Sequence, residues 1–300
     1  MTTSKRTRRS TLVLTNTSKA TFLTCERKYY WRYERCLELK AKPEVMMIGT
    51  LFHQGIAVLL DGAFKKEALK KALKAVRSSP YLEPAMTAEF LVQQYYDRYA
   101  LKNEWKVLWT EKTLKAPVEK GLTLAGKVDG LIEKDGDPWI LEVKTTSNVD
   151  NDYLAKVALD GQLTTYMYLV HAALGVAPAG VIYDVTCRPR IYRRQDENLK
   201  LYLSRAAVDY KATPLAFFAQ QLAFRSVDSL AEFPLELRQI RKRVEACQQS
   251  RVWCKNDSVC FIRGRTCPFV PLCSDGEKPQ ILAEYEKVDP HQELEGSDVA

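Results

Sequence analysis

The sequence has no apolar run approaching the roughly 20 residues that span a bilayer. Behind the basic residues Lys5, Arg6, Arg8 and Arg9, the apolar stretch Leu12-Val13-Leu14 is too short for a signal-peptide core. Together these absences predict no membrane span and a cytoplasmic protein whose thiols stay reduced. There is no internal repeat, which sets aside solenoids and propellers, and no low-complexity tract. Also missing are the C-x₂₋₄-C pairs of most structural zinc sites, although the chain carries eight cysteines. In a reducing compartment so many thiols point to a metal or cluster rather than to disulfides.

What is present is the composition of a globular protein, 300 residues with 46% hydrophobic and 27% charged side chains, enough for a substantial core in one or two domains. The net charge of +8 suits an anionic partner without naming it. The first dozen residues read as a polar, basic arm. Ser18 is the expected N-cap of a short helix carrying Phe22, Leu23 and Cys25. Helical spacing predicts a buried helix over 46–63 with His53 in its middle, and amphipathic helices over 65–77 and 85–101. Strand alternation follows over 105–115 and 122–132, and the turn Lys134-Asp135-Gly136-Asp137 leads into a third strand over 139–145. A helix over 153–174 and a strand over 180–187 complete an α/β layer, a small mixed sheet covered by helices. Beyond 197 the chain reads as helical, with a long segment near 227–249, then as cysteine-punctuated turns. The last 25 or so residues, with Glu284, Glu286, Asp289, Glu293, Glu295 and Asp298, read as an acidic, frayed tail.

Chemistry concentrates on the hairpin. Asp129 lies near the end of one predicted strand and Glu142 on the next, and neighbouring strands run about 4.8 Å apart, so both carboxylates can reach one divalent cation. Oxygen ligands with room for water suit Mg²⁺ or Mn²⁺, and the carbonyl of Val143 can add another. Lys144 shares a strand face with Glu142. Two acids and a cation in this arrangement fit phosphodiester hydrolysis: the phosphate is polarised, a water acidified, and the developing charge steadied by Lys144. An E-x-K triplet alone is weak, because about one arises by chance in such a chain; a salt-bridged surface strand gives the same letters. Here the triplet follows Ile140-Leu141 on the middle strand, where charges are costly unless a ligand uses them.

The runs GKVDG and WILEVKTT, followed by Gln162-Leu163-Thr164-Thr165-Tyr166, resemble the RecB-type branch of the PD-(D/E)XK nucleases, which includes the CRISPR-associated RecB-like exonucleases and many phage-encoded relatives. The resemblance covers residues 46–187 and, through the cysteines, the flanks. It implies a restriction-endonuclease-like core of order α-β-β-β-α-β. It also implies that Asp129 and Glu142 are metal ligands, that Lys144 is catalytic, and that His53, within GTLFHQGI, joins the metal. Gln162 and Tyr166 match the branch's Q-x-x-x-Y motif near the substrate backbone, and their spacing of four puts them on one helix face. Val128 stands where the name-giving proline would be, which removes no ligand. Without the resemblance, His53 reads as a packed core residue and Gln162 and Tyr166 as ordinary amphipathic positions. Glu111, on the first strand, is a further acid able to approach the site.

The branch contains members that hold a [4Fe–4S] cluster through one cysteine before the core and three after it. FLTCERKYYWRY resembles the first element and CFIRGRTCPFVPLC the second, which implies Cys25, Cys260, Cys267 and Cys273 as ligands, with Cys254 able to exchange roles with Cys260 and Zn²⁺ as the alternative metal. Cys36, Cys187 and Cys247 read as plain thiols. Joining Cys25 to Cys260 closes a loop of about 235 residues, worth about 5 kcal/mol of closure entropy. Arg27, Lys28 and Arg32 interleave with Tyr29, Tyr30 and Trp31, a pattern that either holds phosphates and stacks bases or packs its rings inward. Arg238, Arg241, Lys242 and Arg243 read as a solvated helix face or a binding groove.

The expected organisation is a basic arm and first cluster cysteine over 1–45, a nuclease core over 46–196, a helical and cysteine-rich cluster-binding segment over 197–273, and an acidic tail over 274–300. The expected function is a metal-dependent DNA exonuclease acting on single strands or duplex ends in recombination, replication or repair, in company with DNA and proteins of those processes. The other class open at this point is a non-catalytic nucleic-acid-binding protein with a structural metal centre.

Overall fold

In the computed structural model, residues 11–100, 105–262 and 264–294 are described, Glu293 by its backbone alone. The basic residues Lys5, Arg6, Arg8 and Arg9 and the acidic Glu295 and Asp298 lie outside the described residues. So does position 101, the predicted end of the third helix. The chain divides into two compact units. One comprises residues 42–112 and 127–225, the other residues 1–41, 113–126 and 226–300.

The first of these opens with three helices: α1 (Glu44–Asp61), α2 (Lys66–Arg77) and α3 (Leu82–Tyr99). By length and composition α1 is apolar enough to cross a bilayer, which corrects the expectation that no segment is. Its face of Ile48, Phe52, Ile56, Leu59 and Leu60 is instead packed in this unit's core. Gly55 lets α3 come close: a Cβ there would stand 2.5 Å from Val92 Cγ2.

Three strands follow: β1 (Lys106–Glu119), β2 (Leu122–Lys134) and β3 (Asp137–Thr146). Asp135 and Gly136 both have positive φ, 55° and 88°, the backbone that a tight antiparallel hairpin requires and that Asp-Gly adopts readily. β2 and β3 pair antiparallel from Lys134↔Asp137 to Gly130↔Leu141. β3 pairs parallel along its length with β4 (Gly180–Cys187). The sheet is therefore mixed, as expected. Leu141, Val143 and Ile182 pack with the three-helix layer, so by alternation Glu142 and Lys144 point to the other face.

Three expectations need correction here. The predicted helix over 153–174 is two helices, α4 (Asn151–Val157) and α5 (Gly161–Leu174), because Asp160 caps α5 through the Gln162 amide at 2.8 Å. Residues beyond 197 are not all helical: after α6 (Leu199–Ala212), β5 (Phe218–Ala223) runs antiparallel to β4. A strand of two glutamines between small and aromatic residues has little alternation to read, and pairing with an apolar neighbour makes it a strand. In the other unit the cap of the helix Asn16–Thr24 is Thr15, with Ser18 completing a reciprocal capping box.

In that second unit Leu12–Leu14 is a strand, parallel to Leu122–Leu124. The long helix Val227–Ser250 is present as predicted, with Pro234 inside its first turns. The segment expected to fray is partly ordered. Tyr285–Lys287 pairs with Leu37–Leu39, and Tyr285 is buried with Trp31, Phe269 and Leu272. One aromatic side chain among many acids supplies the burial that anchors it.

Candidate active site

The hairpin brings Asp129 and Glu142 to adjacent positions, one step beyond the last paired residues Gly130 and Leu141. Where the ladder ends, Asp129 Oδ2 accepts the Val143 backbone N–H at 2.9 Å. The same oxygen lies 3.4 Å from His53 Nδ1 on α1. Glu142 is fully buried, and its Oε1 meets the Lys144 ammonium as an ion pair. Its Oε2 has no hydrogen-bond partner. Lys144 Nζ also donates to Gln162 Oε1 at 2.8 Å, and Gln162 Nε2 donates to the Tyr166 hydroxyl at 2.8 Å. Since an ammonium can only donate, Lys144 orients the Gln162 amide and hence its contact with Tyr166. The structure thus gathers His53, Asp129, Glu142, Val143, Lys144, Gln162 and Tyr166 in one unit of the chain.

The electrostatics follow from crowding two acids with few solvent contacts. Burial, then the neighbouring Asp129 charge, pushes Glu142 up to about 7 against the pull of Lys144. Burial would raise Asp129 too, but His53, Lys144 and the Val143 amide outweigh it and hold Asp129 below the usual range. Two nearby carboxylates sharing one field separate in this way. Burial opposes charge on His53 and on Lys144, yet the acids beside them raise both. Lys144 therefore stays protonated.

A divalent cation fits these residues. A fully buried carboxylate oxygen with no donor is costly unless a cation meets it, and the donor set of carboxylates, one carbonyl and an imidazole is one that Mn²⁺ or Mg²⁺ accepts. Among the described residues, the set of three ligand atoms mutually within 4.8 Å is His53, Glu111 and Asp129. Glu111, expected only as a further acid able to approach the site, is in that set. The letters hide it, because Val107-Leu108-Trp109 is apolar throughout; in the structure Val107 and Trp109 are half-buried and Leu108 exposed, whereas Leu114 and Ala116 are buried, so the alternation slips between them.

In the other unit, Cys25, Cys260, Cys267 and Cys273 line one cavity of about 60 Å³ with Lys28, Lys255 and Phe269. Cys254 is exposed and outside that lining. No three of these thiols lie mutually within 4.8 Å, whereas a tetrahedral zinc with bonds of about 2.3 Å would hold its sulfurs roughly 3.8 Å apart. Trp31 Nε1–H donates to Cys273 Sγ at 3.3 Å. The aromatic and basic stretch beside Cys25 packs inward: Tyr29 and Trp31 are buried and Arg27 donates to the Trp253 carbonyl at 3.1 Å. Arg238 and Arg241 pair with Glu119, and Arg243 with Glu26. These cations have partners within the protein, which favours the solvated-face reading over a groove.

No curated protein matches the sequence. A crystal structure of a protein from Eubacterium rectale, whose name assigns it a provisional exonuclease role, is similar at 12% identity, covering 87% of this chain and 91% of that one with a TM-score of 0.44. The crystal structure of SSO0001 is similar at 15% identity over 70% of this chain and 78% of that one, with a TM-score of 0.26. The family model of the PD-(D/E)XK nuclease superfamily matches residues 14–274, most of the chain. The chain therefore belongs to the PD-(D/E)XK nuclease superfamily.

Proposed function

We propose that the protein is a divalent-metal-dependent deoxyribonuclease of the RecB-like branch, acting as an exonuclease on single-stranded DNA or duplex ends. The observation that carries this is the convergence of Asp129, Glu142 and Lys144 at the open end of one hairpin, with a buried Glu142 oxygen left without a donor. Asp129, Glu142, the Val143 carbonyl and His53 would hold the cation, Mg²⁺ or Mn²⁺, which supplies Lewis-acid polarisation of the phosphate and acidification of a water. Lys144, kept protonated by its acidic neighbours, is suited to donate to the negative charge that grows on the phosphate in the transition state, and unsuited to act as a base. Gln162 holds that ammonium in place and Tyr166 holds Gln162.

In the same proposal residues 46–196 form the nuclease core, and the segment over 197–273 returns three cysteines to join Cys25 in binding a [4Fe–4S] cluster. The cavity that the four cysteines share supports one common centre for them. Recombination, replication or repair is the setting in which such an exonuclease would meet DNA and partner proteins.

The test is digestion of end-labelled single-stranded, duplex and circular DNA with Mg²⁺ or Mn²⁺. Lys144→Ala should lower the rate by about 10²-fold or more, the size expected for a lost transition-state donor; an unchanged rate refutes the mechanism. Circles cut as fast as linear strands would refute exonuclease action and leave the hydrolytic centre standing. Anaerobic purification should give a brown protein with iron and sulfide, and replacing Cys25, Cys260, Cys267 or Cys273 by serine should remove the colour. A colourless protein with stoichiometric zinc would overturn the cluster.

A further inference from the structure

Glu111 stands out on three counts. It has a φ of 45° within β1, a left-handed backbone that a non-glycine residue adopts only when its surroundings impose it. At this residue the strand's alternation slips, which turns the Glu111 side chain from the face it would otherwise take. The side chain is four-fifths buried, and its carboxylate lies within 4.8 Å of ligand atoms on both His53 and Asp129. Lys127 Nζ, from β2 two residues before Asp129, pairs with Glu111 Oε2 at 2.6 Å. An acid delivered by a strained backbone to an imidazole and a second acid is arranged for a cation. The fully buried Glu142 beside Asp129, with Oε2 lacking a donor, independently marks the same place as one that takes positive charge.

We propose that Glu111 is a further ligand of the metal centre, and that Lys127 competes with the metal for its carboxylate. Two carboxylates and one imidazole nitrogen form a mixed donor set, which Mn²⁺ accepts more readily than Mg²⁺. An ammonium 2.6 Å from one oxygen of Glu111 weakens the affinity of that oxygen for a second cation and sets how tightly the metal is held. The proposal rests on the metal-dependent reading above, and extends it by making Glu111 a ligand and Lys127 its competitor.

The experiment uses the full chain and Mn²⁺ alone, with affinity read from the paramagnetic resonance of free Mn²⁺ and from calorimetry, without DNA. Glu111→Gln should weaken Mn²⁺ binding by about tenfold or more. Lys127→Met should tighten it severalfold in the natural background and leave it unchanged in the Glu111→Gln background. Unchanged affinity in Glu111→Gln overturns the ligand role. A Lys127→Met effect of equal size in both backgrounds overturns the competition. Should Glu111→Gln fail to fold, Lys127→Met alone decides, since unaltered or weaker Mn²⁺ binding sinks the proposal. Failure here is distinct from failure of the nuclease reading, which falls only if Lys144→Ala digests DNA as the natural chain does.

Discussion

Gln162 shows how a neutral side chain can govern a charged one. It accepts from Lys144 and donates to Tyr166, so its removal leaves the ammonium held by Glu142 alone and free to swing. Gln162→Ala should lower kcat about 10- to 100-fold, the range seen when a supporting contact behind a metal or catalytic group is lost, with Mn²⁺ affinity little altered. Equal loss of metal affinity would show that Gln162 works by another route. On the opposite sheet face Asp184 is fully buried and accepts from Tyr95 and Tyr99 at 2.8 and 2.9 Å. Burial outweighs those bonds and raises it to about 6 from its ordinary 3.8. Between these values the folded chain holds a proton that the unfolded chain releases, so this contribution to stability is present at low pH and lost as pH rises through 6. The loss is roughly 3 kcal/mol. Asp184→Asn should flatten the fall in urea midpoint between pH 4 and pH 7; an unchanged slope would assign the effect elsewhere.

The helices carry the site's tolerances. Two residues beyond His53, Gly55 faces α3 so closely that an added methyl meets Val92 at 2.5 Å and Val76 at 3.1 Å. Gly55→Ala should therefore destabilise by about 1–3 kcal/mol despite alanine's better helix propensity, seen as a lower denaturation midpoint. A rise in midpoint would mean that α1 and α3 part easily. α5 begins where it does because Asp160 caps it, and Arg225 donates to the Asp160 carbonyl and to Thr164 Oγ1, both at 2.7 Å. That anchoring sets where Gln162 stands. The sequence showed apolar periodicity across 153–174 and concealed the break, since Asp-Gly is weak punctuation inside a helical pattern. Other boundaries were legible: α1 at 44–61, the Asp135-Gly136 hairpin and β4 at 180–187 follow from periodicity and turn chemistry that local sterics enforce.

Across the molecule, a charge of +8 predicts DNA binding that weakens steeply as salt rises, measurable as the slope of log affinity against log salt. Binding insensitive to salt would argue that the basic surface plays no part. The paired state of Arg238, Arg241 and Arg243 means that this charge is not simply a free groove, which composition alone has no means of revealing. Asp129, Glu142 and Lys144 could be read from the letters because a two-residue strand period and a short hairpin leave little freedom in where such side chains point. Glu111 could be read only as an acid able to approach the site, and Lys127 and the edge strand at 218–223 not at all. Their places depend on a slipped alternation in one strand and on which neighbour a strand pairs with, and those are set by packing between segments far apart in the chain.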